Sequence, residues 1–407
     1  MSIRFTTAGE SHGQALVAIL EGIPAGLALR AEHVNAQLAR RQQGYGRGRR
    51  MQIEQDAVEL LSGVRAGETI GSPIAMLIRN RDWANWQEIM DPAPSVSDGA
   101  ALSEASRPRK RAVTRVRPGH ADLTGLLKYD REDARDILER ASARETTARV
   151  AVGAVCRTLL AAFDVRIGSH VVELGDIVAR RPDPFPGDIN TEADGSPLRT
   201  LDADAERRMI ERIDVIKRDG NTLGGVCEVV ADGACVGLGS HTAWDRKLDG
   251  RIGRAMLSIP AVKGVAIGMG FAAARATGAE VHDEIEPAPE NLRAGGVRRR
   301  TNRAGGLEGG MTTGEPIVVR VAMKPISTLM KPLATVDVAT GAPAEATAER
   351  SDVTAVPAMG VIAEAMLAIV LAEALLEKFG GDSVRETRRN YDGYLSHLKN
   401  RLADRSG

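Results

Sequence analysis

Two histidines stand in surroundings that suit proton transfer to an oxyanion. His12 lies within Gly9-Glu-Ser-His-Gly13, and His120 lies within Arg117-Pro-Gly-His-Ala-Asp122. Each is enclosed by small or turn-forming residues and lies near a basic cluster. A histidine beside cations that bind an anion can donate a proton selectively to that anion. The other histidines have no such surroundings and are expected to be structural or exposed: His33, His170, His241, His282 and His397.

Two segments without acidic residues concentrate the positive charge. The stretch from His33 to Gln52 has five arginines, and the stretch from Ala105 to Ala121 has six basic residues. Arginine binds carboxylates and phosphates through paired hydrogen bonds. Glycines flank the arginine in Gly44-Tyr-Gly-Arg-Gly48 and let the backbone approach a ligand closely, which predicts an oxyanion pocket. For residues 107–111, a solvated basic loop remains the alternative.

Composition limits the classes of protein to which the chain can belong. Of its 407 residues, 43% are hydrophobic and 27% are charged, which excludes a disordered chain. Basic and acidic residues number 54 each, so a chain of zero net charge has little long-range attraction for nucleic acid or an anionic membrane. Arginine outnumbers lysine 45 to 9, which favours a protein that handles oxyanions, although codon bias produces the same ratio.

Cysteines and apolar segments bear on the compartment. Cys156, Cys227 and Cys235 are odd in number and widely spaced, so neither a disulfide framework nor a metal site is predicted. The longest apolar stretch, 358–376, contains two glutamates and is not expected to span a membrane. We recognise no signal peptide. We therefore expect a soluble, cytoplasmic protein.

A few long helices and several strands must position these side chains. Helices are predicted over 31–41, over 131–163 with a break near Ser142, over 205–219 and over 357–379. Strands are predicted at 16–20, 225–230, 262–267 and 317–323. Because helices and strands do not alternate regularly, we predict an α+β fold in a single domain, 1–407. The apolar helix 357–379 is expected in a core or a subunit interface. The polar, proline-rich stretch Arg180 to Arg199 is interpreted as a surface loop insertion.

Seven motifs follow one another along the chain, and together they resemble the chorismate synthase family over essentially its whole length. The motifs are Gly9-Glu-Ser-His-Gly13, Gly44-Tyr-Gly-Arg-Gly-Arg-Arg-Met51, Arg117-Pro-Gly-His-Ala-Asp122, Arg140-Ala-Ser-Ala-Arg-Glu-Thr-Thr147, Gly220-Asn-Thr-Leu-Gly-Gly225, Met323-Lys-Pro-Ile-Ser-Thr328 and Arg350-Ser-Asp-Val-Thr-Ala-Val-Pro357. Any one of them is a weak signal, whereas seven in register are very specific.

The resemblance implies a lyase of the shikimate pathway, which leads to the aromatic amino acids. Such an enzyme eliminates phosphate in an anti-1,4 manner from 5-enolpyruvylshikimate 3-phosphate and gives chorismate. It needs reduced FMN although no net redox change occurs, and NADPH enters only indirectly, for reduction of the flavin. The substrate phosphate, two carboxylates and the flavin phosphate must lie close together, so several fixed cations are required.

The resemblance also implies roles for individual residues. His12 protonates the departing phosphate, His120 stabilises the anionic reduced flavin, and Asp352 assists the flavin atom that accepts the C6 hydrogen. Taken alone, Asp352 is also compatible with a helix cap or a salt bridge to Arg350. The implied substrate-binding residues are Ser11, Arg41, Arg47, Arg50, Arg117, Arg144 and Arg350. The implied FMN-binding residues are Arg140, Ala141, Ser142, Pro260, Ala261, Gly309, Lys324, Pro325, Ile326, Ser327, Thr328 and Arg350.

Two pairs of residues need a further remark when the family's roles are assigned to this chain. Arg41 and Arg47 are also where the family is assigned NADP contacts. Many relatives have Asn-Ala where this chain has Pro260-Ala261, a change that a backbone contact to FMN would survive and a side-chain amide contact would not.

The family architecture implied by the resemblance is a β-α-β sandwich with a helical layer between antiparallel sheets, assembled as a homotetramer. No segment remains for a built-in reductase domain, so a separate flavin reductase is expected to supply the reduced cofactor.

Two other functions compete with this interpretation. An NADPH-dependent flavin reductase would use Arg41 and Arg47, but it would leave His12 and the other arginines without a task. An RNA-binding module would use the two basic loops, but the chain has only 12 aromatic residues on which bases could stack.

Overall fold

The computed structural model describes residues 2–48, 55–93, 112–347 and 352–403. Its strands are β1 Arg4–Ala8, β2 Ala15–Glu21, β3 Val58–Leu60, β4 Val64–Arg65, β5 Glu68–Thr69, β6 Ile74–Arg79, β7 Arg166–Leu174, β8 Ile177–Val178, β9 Gly225–Asp232, β10 Val262–Ile267, β11 Ile285–Pro287, β12 Val297–Arg299, β13 Leu307–Glu308, β14 Met311–Thr312, β15 Ile317–Met323, β16 Ala334–Val336 and β17 Pro343–Glu345. Its α-helices are α1 Ala31–Gln42, α2 Gln87–Met90, α3 Asp122–Tyr129, α4 Arg135–Ala141, α5 Thr146–Ala161, α6 Ile189–Ala193, α7 Ala203–Arg218, α8 Leu248–Leu257, α9 Gly278–Val281, α10 Val356–Phe379 and α11 Val384–Ala403.

Two antiparallel sheets form the outer layers. The first has the order β1-β2-β6-β3, and the second has the order β10-β15-β9-β7-β8. In β2, Leu16, Ala18 and Leu20 are buried whereas Ile19 is 42% exposed, because successive side chains of a strand point to opposite faces. The first sheet therefore offers one apolar face to the interior.

Three helices form the layer between the sheets. Helix α5 packs against β2 of the first sheet, α10 packs against β7 and β9 of the second, and the two helices pack against each other and against α1. At Gly153 of α5, an added Cβ would come within 2.5 Å of the Cα of Ala365 on α10, so only glycine permits this approach. The predicted α+β sandwich with a helical layer between antiparallel sheets is confirmed.

Helix α10 is the core of the protein. It has Pro357 in its first turn and is followed by Gly380, which adopts a positive φ of 60°. By length and composition it could cross a bilayer, but 94% of its most apolar window is buried inside the protein. The expectation that this apolar segment lies in a core is confirmed.

The other predicted elements are also present, and the break near Ser142 has a local cause. Helix α4 ends at Ala141, Ser142 is extended with ψ 144°, and α5 begins at Thr146. The hydroxyl of Ser142 accepts a hydrogen bond of 3.3 Å from the backbone N–H of Arg144 and so caps the turn between the helices. The break brings residues 140–144 to the end of the helical layer.

The segment 180–199, interpreted from the sequence as a surface loop, is irregular and mostly exposed only over residues 180–188. Helix α6 lies in this segment, and its Ile189 and Ala193 pack with Val230 and Val318 of the second sheet. Arg199 is only 2% exposed and its guanidinium lies 3.2 Å from Glu364 of α10. The segment has a polar sequence because its buried charges need partners, not because the whole of it faces water.

Candidate functional site

His12 lies in the loop that joins β1 to β2, against the last turn of α4. Its Nδ1 is 2.9 Å from Oε1 of Glu139, and the carboxylate also accepts the backbone N–H of His12 at 2.9 Å. The ring stacks on Trp86 with 3.8 Å between the ring centroids. The backbone N–H of the neighbouring Ser11 donates to the carbonyl of Glu139, and the Ser11 hydroxyl meets that of Ser142 at 3.2 Å.

Two buried arginines lie beside this loop. Arg41, at the end of α1, donates to the hydroxyl of Thr146 at 2.9 Å and to the carbonyl of Ala143 at 2.8 Å. Arg144, in the turn before α5, donates to Asp56 and to the side-chain oxygen of Asn80. The amide of Asn80 in turn donates to the carbonyl of Gly13, which ties this arginine to the His12 loop.

The positive charge around Arg41 is only partly neutralised by the neighbouring carboxylate. Its Nη1 is buried, lies 3.9 Å from Asp56, and has no hydrogen-bond partner among the described residues. Burial, followed by the like charge of Arg47, lowers the pKa of Arg41 to about 9, and Asp56 compensates only in part. An anion bound beside Arg41 would satisfy both the open donor and the excess charge.

Arg47 and Asp352 form an ion pair at the edge of this group. Arg47 Nε lies 3.0 Å from Asp352 Oδ2, and the Arg47 side chain is 9% exposed. Asp352 also accepts the backbone N–H of Gly48 at 2.6 Å. The sequence prediction placed Arg50 and Arg350 nearby as well, but both lie outside the described residues.

A second group forms around His120. The fully buried Asp122 accepts hydrogen bonds from His120 Nδ1 at 2.5 Å and from Arg117 Nε at 2.8 Å. Burial alone raises the pKa of Asp122, but the hydrogen bonds from His120 and Arg117 outweigh it and hold the pKa well below its usual range. Lys324 donates to the carbonyl of Gly119, and Arg117 reaches the hydroxyl of Thr328 at 3.5 Å.

Chains of contacts join the two groups. Arg149, in α5, donates to the hydroxyl of Ser258 at 2.8 Å, two residues before Pro260. The carbonyl of Ala261 accepts the backbone N–H of Lys324 at 3.0 Å. On the other side, Thr222 donates to the carbonyl of Ile326, while the adjacent Leu223 donates to the carbonyl of Val353. These contacts therefore link four segments into one connected region: 142–149, 258–261, 324–328 and 352–353.

Two predicted cofactor residues, Gly309 and Arg140, are placed differently from the others. Gly309 lies in the β13–β14 hairpin, whose Gly310 carbonyl accepts the backbone N–H of Leu248 at the start of α8. Pro260 and Ala261 follow the other end of this helix, about 15 Å away along its axis. The guanidinium of Arg140 donates hydrogen bonds to the carbonyls of Gly9 and Thr7, and these bonds hold the end of β1 in place.

Sequence reasoning missed several partners in the site. The sequence alone predicts no role for Glu139, Asp56, Asn80 or Trp86, and it offers Asp122 only as part of a motif. Glu139 directly precedes the arginine-serine motif of 140–147, and Asp122 is the last residue of the histidine motif of 117–122. Adjacency to those motifs was the available signal, but only the fold shows which histidine or arginine each carboxylate meets.

The donors of the second group are of the kinds that bind a phosphorylated ligand. Partial burial and the nearby Lys263 lower the pKa of Lys324, so this ammonium would gain from a phosphate beside it. Gly119 leaves only 3.1 Å between a virtual Cβ and Lys324 Nζ, which shows how closely the His120 turn approaches this loop. Lys324, the backbone of Ala261 and the His120 turn fit a phosphorylated, planar group.

Taken together, the fold and the site define an α+β protein whose arginines, histidines and serines form a cationic site suited to an oxyanion. Comparison with known proteins then identifies the family. A sequence profile of the chorismate synthase family matches residues 3–376. A chorismate synthase of Geobacter metallireducens is 56% identical over 400 residues, which cover 98% of this chain and 99% of that protein. One of Salinispora tropica is 56% identical, with 97% and 99% covered. A crystal structure of a chorismate synthase shares 44% identity, covers 98% of this chain and 99% of its own, and superposes with a TM-score of 0.76. The chain belongs to the chorismate synthase family of enzymes.

Proposed function

We propose that the protein converts 5-enolpyruvylshikimate 3-phosphate to chorismate by anti-1,4-elimination of phosphate. The observation that carries the proposal is the open, buried Nη1 of Arg41 beside the His12 loop. A buried guanidinium without a full set of acceptors is unfavourable until an anion arrives. The substrate brings a phosphate and two carboxylates, which match the arginines gathered here.

Each group of residues has a distinct part in this reaction. Arg41, Arg47 and Arg144, with Ser11, bind the anionic substrate, and His12 gives its proton to the oxygen of the departing phosphate. The C3–O bond breaks and its electron pair leaves with the phosphate, while C6 loses a hydrogen as a proton overall and its C–H electron pair supplies the new double bond of the ring. Arg117 and the adjacent His120, both fixed by Asp122, face the cofactor region, and Asp352 completes the site beside Arg47. In this proposal Arg50 and Arg350 add further cations.

Reduced FMN is the proposed cofactor, with Lys324, the backbone of 325–328, Ala261 and the 140–142 turn as its principal contacts. When bound, it would supply an electron-rich ring that assists loss of phosphate and, with the help of Asp352, would take up the hydrogen lost from C6, with no net redox change. The protein residues hold its phosphate, exclude water and keep it beside the substrate. NADPH takes part only through a separate flavin reductase, in the cytoplasm.

Assembly into a homotetramer is part of the proposal. The outer face of the first sheet presents Ile19, with Val17 and Leu77 partly exposed beside it. Such an apolar sheet face is suited to a second copy of the chain. Sedimentation velocity at several concentrations tests this assembly: a species of four chains supports it, and a monomer throughout contradicts it.

The decisive assay supplies 5-enolpyruvylshikimate 3-phosphate and chemically reduced FMN without NADPH. Appearance of chorismate absorbance supports the proposed lyase. Oxidation of NADPH by free FMN, with no chorismate formed under the first condition, would instead identify a flavin reductase.

A further inference from the structure

The carboxylate of Glu139 meets His12 at two points. Oε2 accepts the backbone N–H of His12 at 2.9 Å, and Nδ1 of the ring lies 2.9 Å from Oε1 and 3.0 Å from Oε2. The Glu139 side chain is 1% exposed, so water does not compete for these contacts. Glu139 also stands in the last turn of α4, a rigid element, and its carbonyl holds the N–H of Ser11.

This contact determines which ring nitrogen faces the reaction. An ionised carboxylate only accepts hydrogen bonds, so Nδ1 must carry a proton. Nε2, on the opposite side of the ring, is then the nitrogen that gains and releases the transferable proton. A carboxylate that fixes the tautomer and orientation of a histidine in this way is a recurring device in acid–base catalysis.

Trp86 packs on the face of the His12 ring and so restricts the plane in which that ring lies. Its indole lies nearly parallel to the imidazole, at an angle of 23° and a centroid distance of 3.8 Å. The indole N–H donates to Asp82 at 2.9 Å, which fixes the indole itself. Arg135 lies 3.8 Å from Glu139 and 5.6 Å from the Trp86 ring, and so braces both partners.

We propose that Glu139 is a positioning residue that holds His12 in the Nδ1–H tautomer with Nε2 directed at the substrate, and that Trp86 fixes the plane of the ring. The inference rests on the proposed function, because it gives His12 the task of protonating the departing phosphate. Glu139 itself does not touch the substrate.

Glu139→Gln tests the proposal with little change in shape. Its amide oxygen can still accept the backbone N–H of His12, but the amide N–H₂ then faces Nδ1 and favours the opposite tautomer. We expect kcat to fall by about 10- to 100-fold, part of the usual contribution of a general acid, while KM changes by less than about 3-fold. Glu228→Gln is the matched control: Glu228 is likewise buried and pairs with another histidine, His170, outside the site.

Two further measurements separate positioning from a merely structural role. In the His12→Ala background, Glu139→Gln should cost no more than about 2-fold in kcat, because residues that act through one another are not additive. Long-range ¹H–¹⁵N spectra of the full chain labelled with ¹⁵N-histidine should show the proton of His12 on Nδ1 in the wild type and on Nε2 in Glu139→Gln. This spectrum needs neither substrate nor flavin.

Wild-type kcat or an unchanged tautomer in Glu139→Gln would overturn the proposal. A loss of similar size in the His12→Ala background would also overturn it, because Glu139 would then act independently of His12. If the wild type itself forms no chorismate, the proposed function fails, and the tautomer comparison still decides the role of Glu139.

Discussion

The backbone N–H of Gly48 donates a hydrogen bond of 2.6 Å to the carboxylate of Asp352, although 304 residues separate the two. The N–H of Val353 returns a hydrogen bond of 2.8 Å to the carbonyl of Gly46. With the ion pair of Arg47 to Asp352, these contacts fasten the glycine-rich loop to the segment before α10. The orientation of a proposed substrate arginine thus depends on a distant carboxylate.

Substitutions of Asp352 should separate its role in catalysis from its role in fastening the glycine-rich loop. Asp352→Asn keeps an acceptor for Gly48 but loses the charge, so we expect kcat to fall more than KM rises. Asp352→Ala also frees the loop and should raise KM by about 10-fold or more, the equivalent of one charge-assisted hydrogen bond. Steady-state kinetics with reduced FMN measure both values, and equal KM values in the two variants would contradict the loop-fastening role.

Removal of the His12 imidazole should affect catalysis rather than cofactor binding. His12→Ala should lower turnover by about 100-fold or more, as expected for loss of a general acid. Flavin fluorescence titration should show FMN still bound. His241→Ala, at an exposed histidine outside the site, is the control and should keep normal activity. Wild-type turnover in His12→Ala would remove this residue from the mechanism.

Phosphate should stabilise the folded protein through the arginines of the site. Burial and the like charge of Arg47 lower the pKa of Arg41 to about 9, and a bound anion would offset both effects. A ligand present at 100 times its Kd adds about 2.7 kcal/mol to the free energy of unfolding. Thermal unfolding should therefore shift upward with phosphate but not with NaCl of equal ionic strength. The shift should shrink in Arg41→Met and persist in Arg212→Met, which alters an exposed arginine.

Glu364 should make stability depend on pH in the acid range. Burial raises its pKa, but Arg40, Arg157 and Arg199 outweigh this and lower the pKa of Glu364 to about 2. A carboxyl with a lowered pKa stabilises the fold above its unfolded value of about 4.5, and this contribution is lost as the pH falls toward 2. Glu364→Gln should cost about 3–5 kcal/mol at pH 7.

The difference between wild type and Glu364→Gln should narrow as the pH falls below about 4.5, because the unfolded wild type then takes up a proton at this carboxyl that the folded protein, with a pKa of about 2, does not bind. Urea unfolding from pH 7 to pH 3 measures this, with the exposed Glu211→Gln as control. A constant difference over that range would show that the pairing is not the source of the stability.

Deletion of residues 183–196 should destabilise the protein. The deletion removes the buried Ile189 and Ala193 and also Asp194, whose carboxylate lies 2.7 Å from Arg40. Loss of a partner to a poorly exposed charge and of apolar burial should together cost about 3 kcal/mol or more. Thermal unfolding checks this against Glu192→Ala, an exposed position in the same segment. An unchanged Tm would restore the interpretation of a dispensable loop.

Local patterns in the sequence determined the secondary structure and the family. Apolar periodicity identified α10 and the strands β2, β9, β10 and β15, because such patterns follow from how one element meets one core. The motifs around His12, Arg117 and Lys324 were recognisable for a similar reason: each is a short turn whose residues lie next to one another in the chain.

Only the tertiary structure decided which charges meet. Glu139 pairs with His12 and Arg199 with Glu364 across 127 and 165 residues, and no local signal carries such pairings. It also decided that Ile189, Ala193, Leu198 and Arg199 are buried, although the polar sequence around them resembles that of a surface loop. Periodicity reports the burial of apolar side chains, whereas the burial of a charge depends on a partner that the fold brings from elsewhere in the chain.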